Sequence, residues 1–226
     1  MNRMVQRHDL VWLDPFVDLE IYADASDLGR FSRNWVGQSR PFVVTRQPKP
    51  SITGESRISL GLTLPPPLTR QRVTLHAPRE AVIRHTAPLG LAEALPHAPP
   101  AWHDAIERIL LFCQEAGATP YVYGSLSWQA VTGHGYLTEN SDLDVLFVCD
   151  EGTDMQRLLG ALSGFKDSTP RLDGEIVVPT GWGAAWREFA AAYRSGGAIK
   201  LLAKSRDEVR LLAADEFLGP MAAKDV

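Results

Sequence analysis

Proline placement divides this chain into two parts. Eleven of its sixteen prolines lie between Pro41 and Pro100, and three of them form the run at 65–67. Because proline lacks a backbone N–H and clashes with the preceding helical turn, this stretch disfavours long helices. It contains four short β-like segments bounded by Pro or Gly, at 41–46, 58–64, 72–76 and 81–85. The sequence therefore predicts a small, mostly β domain over residues 1–86, followed by a linker at 87–100.

Residues 101–226 show the alternation of helix and strand that is expected of an α+β domain. Apolar residues at helical spacing predict a helix over 101–116 that ends at Gly117. The same kind of pattern predicts a helix from Trp182 to Tyr193. Further segments are predicted as strands at 120–125, 142–149 and 171–179, and as helices at 126–133 and 154–163.

Composition narrows the functional classes. With 45% apolar and 22% charged residues in 226, the chain is typical of a folded globular protein. Its two cysteines, Cys113 and Cys149, form neither a zinc-type pair nor a disulfide framework. The sequence has no P-loop, dinucleotide-binding or nucleophile-elbow motif. It also has no signal-peptide core and no run of about 18 apolar residues, so we expect a cytoplasmic protein without a membrane partner.

The segment from 120 to 148 carries the chemistry. A short strand runs into Gly124 and Ser125 at a predicted helix start, where free N–H groups and the helix dipole favour an anion. The next strand opens with Asp142 and Asp144, whose side chains at i and i+2 point to one face. Two carboxylates this close need a cation between them, and Mg²⁺ prefers such oxygen ligands. Each half alone is also an ordinary turn or strand edge; together they predict a phosphate site beside a metal site.

The order and spacing of these elements, in the segment YGSLSWQAVTGHGYLTENSDLDVLFV at 123–148, resemble the signature of the nucleotidyltransferase superfamily, which includes DNA polymerase β and kanamycin nucleotidyltransferase. The resemblance implies a DNA polymerase β-like catalytic domain over 101–226. It also implies that Asp142 and Asp144 bind Mg²⁺ and that Ser125, with Gly124, contacts the substrate phosphates.

The superfamily resemblance further implies a third metal-binding carboxylate on a later strand. Asp173 and Glu175 are the candidates, and Asp173 is favoured because matching the strand ends places it nearer the level of Asp142. The candidates for the base are Asp173, Glu175 and a metal-bound oxygen. Lys200 and Lys204 would share a face if their segment is helical. Lys200 lies inside an apolar run and is the preferred contact for a leaving diphosphate, although both lysines are also compatible with a solvated rim.

Further motifs cover most of the chain and are similar to the phosphoribosyl-dephospho-CoA transferase family, also called malonate decarboxylase holo-[acyl-carrier-protein] synthases. They are RHDLVWLDP at 7–15, WVGQSRPFVVTRQ at 35–47 and LGLTLPPP at 60–67, together with the central motif. This resemblance implies transfer of a prosthetic group from 2′-(5″-triphosphoribosyl)-3′-dephospho-CoA to a serine of the malonate decarboxylase acyl carrier protein, with release of diphosphate. The alternatives are an adenylyltransferase acting on another protein or small molecule, and a non-catalytic binder with the same fold.

Positive charge is concentrated in the proline-rich part. Between Arg30 and Gly90 there are ten Lys and Arg residues but only Glu55 and Glu80, a net charge of +8 in a chain whose total is −4. Such a region can attract the acidic face of a carrier protein, the phosphates of a CoA-like substrate, or nucleic acid. We expect no nucleic-acid partner, because the rest of the chain is acidic and binders of nucleic acid usually bring a strongly basic domain with interleaved aromatics.

Overall fold

A computed structural model describes residues 4–22, 26–47, 56–65, 72–165, 168–196 and 198–224. The chain divides into two compact units. The N-terminal unit comprises Met1–Pro88 and Val131–Tyr136, and the C-terminal unit comprises Leu89–Ala130 and Leu137–Val226. Within the described ranges, no helix has both the length and the apolar character that crossing a bilayer requires.

The N-terminal unit is built on an antiparallel sheet of six strands in the order β2-β5-β4-β3-β1-β6. Burial alternates along the strand Arg72–Pro78. Its residues Val73, Leu75 and Ala77 are buried, whereas Arg72 and Thr74 are exposed. This alternation is what a sheet with one apolar face requires. The elements are β1 (Leu10–Leu13), β2 (Glu20–Tyr22), α1 (Ser26–Gly37), β3 (Phe42–Val44), β4 (Arg57–Thr63), β5 (Arg72–Pro78) and β6 (Val82–Thr86).

The segment Val131–Tyr136 belongs to the N-terminal unit, although it begins with the last two residues of a helix, Gly124–Thr132, whose other residues belong to the C-terminal unit. Tyr136 is buried, and its hydroxyl donates a hydrogen bond of 2.9 Å to the carbonyl of Thr63 at the end of β4. Burial raises the pKa of the Tyr136 hydroxyl, so it stays protonated and remains a donor.

The C-terminal unit is built on a sheet of seven strands in the order β13-β12-β11-β10-β9-β8-β7, in which β9 and β10 are parallel. Its strands are β7 (Leu89–Gly90), β8 (Thr119–Val122), β9 (Leu143–Val148), β10 (Leu172–Val177), β11 (Gly183–Ala185), β12 (Leu201–Lys204) and β13 (Val209–Leu212). Its helices are α2 (Leu91–Ala94), α3 (His103–Ala116), α4 (Gly124–Thr132), α5 (Met155–Ser163), α6 (Trp186–Arg194) and α7 (Ala214–Leu218). Short 3₁₀ helices lie at Arg79–Ala81, Leu95–His97, Pro100–Trp102 and Gly219–Lys224.

The core of the C-terminal unit lies on one face of this sheet. Leu143, Val145 and Phe147 of β9 are fully buried in one cluster with apolar residues of α3 and α5. Alternate residues of β9 point to the opposite face, which is only partly covered. The mixed α+β class predicted from the sequence is confirmed, as are the four β segments before residue 87 and the end of α3 at Gly117, which adopts a left-handed φ of 74°.

Residues 87–100 do not form the linker that their prolines suggest. β7 pairs with β8, and α2 follows at once, with Leu91 and Ala94 fully buried in the core. The Glu93 side chain accepts a hydrogen bond of 2.9 Å from the backbone N–H of Gly90 and so caps α2. Proline limits the length of elements here without preventing short ones.

One predicted helix is partly wrong, and one segment considered as a possible helix is a strand. The helix predicted from Trp182 begins only at Trp186, because residues 183–185 form β11 and pair with β10. The segment considered as a helix is instead the strand β12, which contains Lys204 and pairs with β13, and Lys200 lies immediately before it. In both segments apolar residues satisfy strand and helix spacing equally, and pairing with neighbouring strands decides the outcome.

Both cysteines lie in the core as free thiols, and burial raises the pKa of Cys113 and of Cys149 to about 12. Since the thiolate is the reactive species, we expect neither residue to react with Ellman's reagent at about pH 8 in the folded protein. Both should react once the protein is unfolded in guanidinium. Rapid release of colour from the native protein would contradict this burial.

Candidate active site

Three of the predicted site carboxylates lie at the same end of adjacent strands. β9 and β10 are parallel, and their register places Asp144 directly beside Asp173. Neighbouring residues in this position share a face of the sheet and are about 4.8 Å apart at the backbone. Asp142, two residues before Asp144, is expected on the same face. This face is opposite to the one that carries buried Leu143 and Val145, so the carboxylates point away from the core.

The start of α4 lies against Asp144. The backbone N–H of Tyr123 donates a hydrogen bond of 3.1 Å to the carbonyl of Asp144. Gly124 follows with a left-handed φ of 66°, and a Cβ at this position would collide with the Asp144 carboxylate. Glycine therefore has two roles here: it permits the turn, and it leaves room for the carboxylate. The structure thus brings together Gly124, the half-buried Ser125 and Asp144, as the motif predicts.

Asp142 is held by Arg171, which the sequence patterns do not single out. The Arg171 Nε donates a hydrogen bond of 2.7 Å to Asp142 Oδ1, and a second guanidinium nitrogen donates to Oδ2. These hydrogen bonds hold the pKa of the Asp142 carboxyl below its usual range. Asp142 makes the largest contribution to raising the pKa of Arg171, and the charges of the nearby Asp173 and Asp144 add smaller contributions. Arg171 is therefore a fully charged cation at the edge of the acidic cluster.

Glu175, the second candidate for the third carboxylate, has a different environment. It is 7% exposed, and Lys204 Nζ donates a hydrogen bond of 3.1 Å to its Oε1. Asp173 is exposed and accepts a hydrogen bond of 2.8 Å from the backbone N–H of Gly174. Register and exposure therefore favour Asp173 over Glu175 as the residue available to a ligand. Lys200 is exposed ahead of β12, and its contact with a leaving group stays a prediction.

The chemistry of these carboxylate donors suits a metal ion, but their arrangement does not. Within the described parts of the chain, no three His, Cys, Asp or Glu side chains are grouped so as to hold a metal ion. The aspartates supply only oxygen donors, as Mg²⁺ prefers. However, Arg171 occupies both oxygens of Asp142. Binding of a metal at Asp142 and Asp144 therefore requires Arg171 to move.

The C-terminal unit is thus an α+β sheet domain with a row of acidic side chains beside a glycine turn and a helix start. Two family models match the chain: the phosphoribosyl-dephospho-CoA transferase MdcG N-terminal domain at residues 6–88, and the C-terminal domain of the same family at residues 90–215. The chain belongs to the phosphoribosyl-dephospho-CoA transferase family, which confirms the resemblance found in the sequence.

Curated relatives agree over nearly the full length. A protein of Bradyrhizobium diazoefficiens named phosphoribosyl-dephospho-CoA transferase is 34% identical over 96% of this chain and 94% of its own length. Proteins with the same name from Xanthomonas campestris pv. campestris and Xanthomonas axonopodis pv. citri are each 34% identical over 92% of this chain and 94% of their own length. No solved structure matches the chain significantly.

Proposed function

We propose that this protein transfers the 2′-(5″-phosphoribosyl)-3′-dephospho-CoA group from its triphosphoribosyl precursor to a serine of the malonate decarboxylase acyl carrier protein, and that diphosphate is released. Family membership over both parts of the chain supports the transferase class. The observation that carries the site assignment is the register of Asp144 with Asp173, next to the turn at Gly124. Acidic groups beside a helix start support a role in positioning and neutralising phosphates, which is how phosphoryl transfer is catalysed.

The reaction exchanges one phosphorus–oxygen bond for another. The carrier serine oxygen bonds to the α-phosphorus of the precursor, and the bond from that phosphorus to the bridging oxygen breaks, so that diphosphate leaves and a phosphodiester remains. Asp173, an exposed carboxylate, accepts the serine proton. The backbone N–H groups at the start of α4 and the Ser125 hydroxyl orient the phosphates. Mg²⁺ bound by Asp142, Asp144 and Asp173 would neutralise the charge of the triphosphate.

Intact mass spectrometry tests this function directly. Purified apo carrier protein is incubated with the chain, Mg²⁺ and the triphosphoribosyl precursor, beside the variant Asp144→Ala. The proposal requires a mass gain equal to the phosphoribosyl-dephospho-CoA group with the wild type and none with the variant. A gain of AMP when ATP is supplied, without a gain from the precursor, would establish the adenylyltransferase alternative. Binding of the carrier without any mass gain would establish a non-catalytic binder.

The basic part of the chain is the proposed docking region for an acidic carrier protein. Several of its arginines are exposed within the described residues, namely Arg33, Arg46, Arg72 and Arg84. A second possibility is that this part binds the precursor phosphates. It contains a cleft of about 360 Å³ lined by Arg79, Arg84 and His85 beside apolar residues, a combination that suits a ligand with both phosphate and apolar groups.

Salt distinguishes the two roles. If opposite charge steers the carrier, adding about 0.5 M NaCl should raise the KM for the carrier roughly ten-fold and leave the KM for the precursor less affected. The double variant Arg72→Gln/Arg84→Gln should weaken the salt dependence. Initial rates at varied carrier and precursor concentrations provide the measurement. A KM for the carrier that is independent of salt would rule out steering, and a rise confined to the KM for the precursor would favour the phosphate cleft.

A further inference from the structure

We propose that the cleft beside β6 in the N-terminal unit binds the dephospho-CoA part of the precursor, in which a diphosphate is joined to a long uncharged pantetheine arm. The cleft has a volume of about 360 Å³, and all the residues that line it belong to this unit. The inference rests on the proposed function for the choice of ligand. The chemistry of the cleft is independent of that function, because none of the acidic site residues takes part in it.

The cleft wall carries a positive charge that no neighbouring carboxylate balances. Arg79 is half-buried in this wall, and its guanidinium makes no hydrogen bond or ion pair with any residue that the structure describes. Its backbone is fixed, since its N–H donates a hydrogen bond of 2.9 Å to the carbonyl of Ser56. Removing a guanidinium from water without a partner costs free energy, and its planar fork pairs well with phosphate oxygens. Arg79 therefore suits an anionic ligand in the cleft.

Two further polar residues of the wall have defined positions. Asp9 is fully buried, and its carboxylate accepts hydrogen bonds of 2.8 Å from the backbone N–H of Gln6 and of 3.1 Å from His85 Nε2. Because Asp9 holds Nε2, the Nδ1 atom of His85 is the ring nitrogen that a ligand can use. Arg84 also lines the cleft, but its guanidinium lies 4.1 Å over the ring of Trp12. Of the two arginines, Arg79 is therefore the preferred contact for the diphosphate.

The rest of the lining is largely apolar, and part of it is exposed. Met4 and Ile83 are 63% and 64% exposed, although both have large apolar side chains. A β-bulge accounts for Ile83: Trp12 pairs with Arg84 and Leu13 pairs with Val82, so Ile83 has no opposite residue in β1. Bulges are common at sheet edges and beside functional sites, and β6 is an edge strand. These exposed apolar side chains suit the methyl and methylene groups of a pantetheine arm.

The combination of charge, apolar surface and size favours a small ligand in the cleft. Its volume falls within the range of about 300–1,000 Å³ that is typical of small-molecule sites. A linear molecule can place its diphosphate at Arg79 and extend its uncharged arm along Ile83. The exposed arginines outside the cleft, Arg33, Arg46 and Arg72, remain the proposed docking region for the carrier protein.

Isothermal titration calorimetry of the full chain tests this assignment. The probes are dephospho-CoA, ADP, which lacks the arm, and pantetheine, which lacks the diphosphate; dephospho-CoA should bind most tightly. Arg79→Gln should weaken binding of dephospho-CoA and of ADP about ten-fold. Ile83→Ser should weaken binding of dephospho-CoA about five-fold and leave that of ADP unchanged. Arg194→Gln removes the same charge from an exposed position at the end of α6 in the other unit and should change neither value.

Hydrogen exchange locates the bound ligand. Dephospho-CoA should slow exchange of the backbone amides at 79–86, both in the wild type and in Asp144→Ala, whose substitution lies in the C-terminal unit. Binding without protection at 79–86, equal affinity of Arg79→Gln and the wild type, or no binding at all would overturn the inference. Protection of 79–86 by the carrier protein but not by dephospho-CoA would also overturn it and would assign the cleft to the carrier.

These outcomes are separate from those of the proposed function, which depends on the mass gain of the carrier protein. If the wild type modifies the carrier but dephospho-CoA does not protect the cleft, the function stands and this inference fails. If dephospho-CoA binds in the cleft but the carrier gains no mass from the precursor, the cleft assignment stands and the proposed function fails.

Discussion

Replacing Asp144 by Asn should lower the rate of group transfer to the carrier protein by about a thousand-fold. Asp144 lies between the other parts of the candidate site: it is in register with Asp173, and its carboxylate lies against Gly124 at the start of α4. Asparagine has nearly the same shape but no negative charge, so it could not provide the carboxylate that the proposed Mg²⁺ site needs. The rate is measured from the mass of the carrier protein over time.

The matched control for this variant is Glu107→Gln. It removes one negative charge from an exposed position on α3, away from the strand ends that carry the site, and should keep the full rate. Because Asp144→Asn relieves repulsion among carboxylates, its melting temperature should not fall. A rate within about ten-fold of the wild type would rule out the proposed role of Asp144 in group transfer.

Gly174→Ala should lower the free energy of unfolding by about 3 kcal/mol or more. Gly174 is buried in β10 with a φ of 155°, and a Cβ there would collide with the backbone carbonyl of Val145 on β9. Backbone atoms cannot turn aside as a flexible side chain can, so the two central strands would have to separate. At roughly 2–4 °C per kcal/mol for a chain of this size, the melting temperature should fall by about 6–12 °C.

Gly160→Ala is the control for Gly174→Ala and should raise the free energy of unfolding instead of lowering it. Gly160 is exposed in the interior of α5, and a Cβ there would meet nothing within 4 Å. The change should stabilise the protein by about 0.5–1 kcal/mol, because alanine loses less backbone entropy than glycine in a helix. Calorimetry of both variants tests the pair. A melting temperature of Gly174→Ala within about 1 °C of the wild type would contradict the close approach of β9 and β10.

Local patterns predict local parts of this fold. The apolar spacing of α3 and its glycine end, the alternating β segments of the N-terminal unit, and the pair Asp142 and Asp144 all depend on residues close together in the sequence. These features follow from the period of each element, which the sequence displays directly. A short apolar run such as the one after Lys200 fits both periods, and only pairing with β13 shows that it is the strand β12.

Contacts between residues far apart in the sequence could be identified only from the structure. The choice of Asp173 over Glu175 rests on the parallel register of β9 and β10, which the sequence indicates only through the alignment of strand ends. Arg171 is 29 residues from its partner Asp142, and a lone arginine before a strand carries no pattern of its own. The burial of Leu91 in the segment read as a linker is a similar case, because its partners come from elsewhere in the C-terminal unit.

The return of Val131–Tyr136 to the N-terminal unit affects the order in which the protein can fold during synthesis. Domains generally form as units while the chain leaves the ribosome, the N-terminal one first. Here the N-terminal unit is complete only when Tyr136 has emerged and can bond to Thr63, and by then α3, β8 and α4 of the other unit have already been made. The border between the two family models, at residues 88 to 90, is therefore not a point at which the chain can be cut to give an intact first unit. Gene fusion or shuffling at that border would leave the N-terminal sheet without one of its buried side chains.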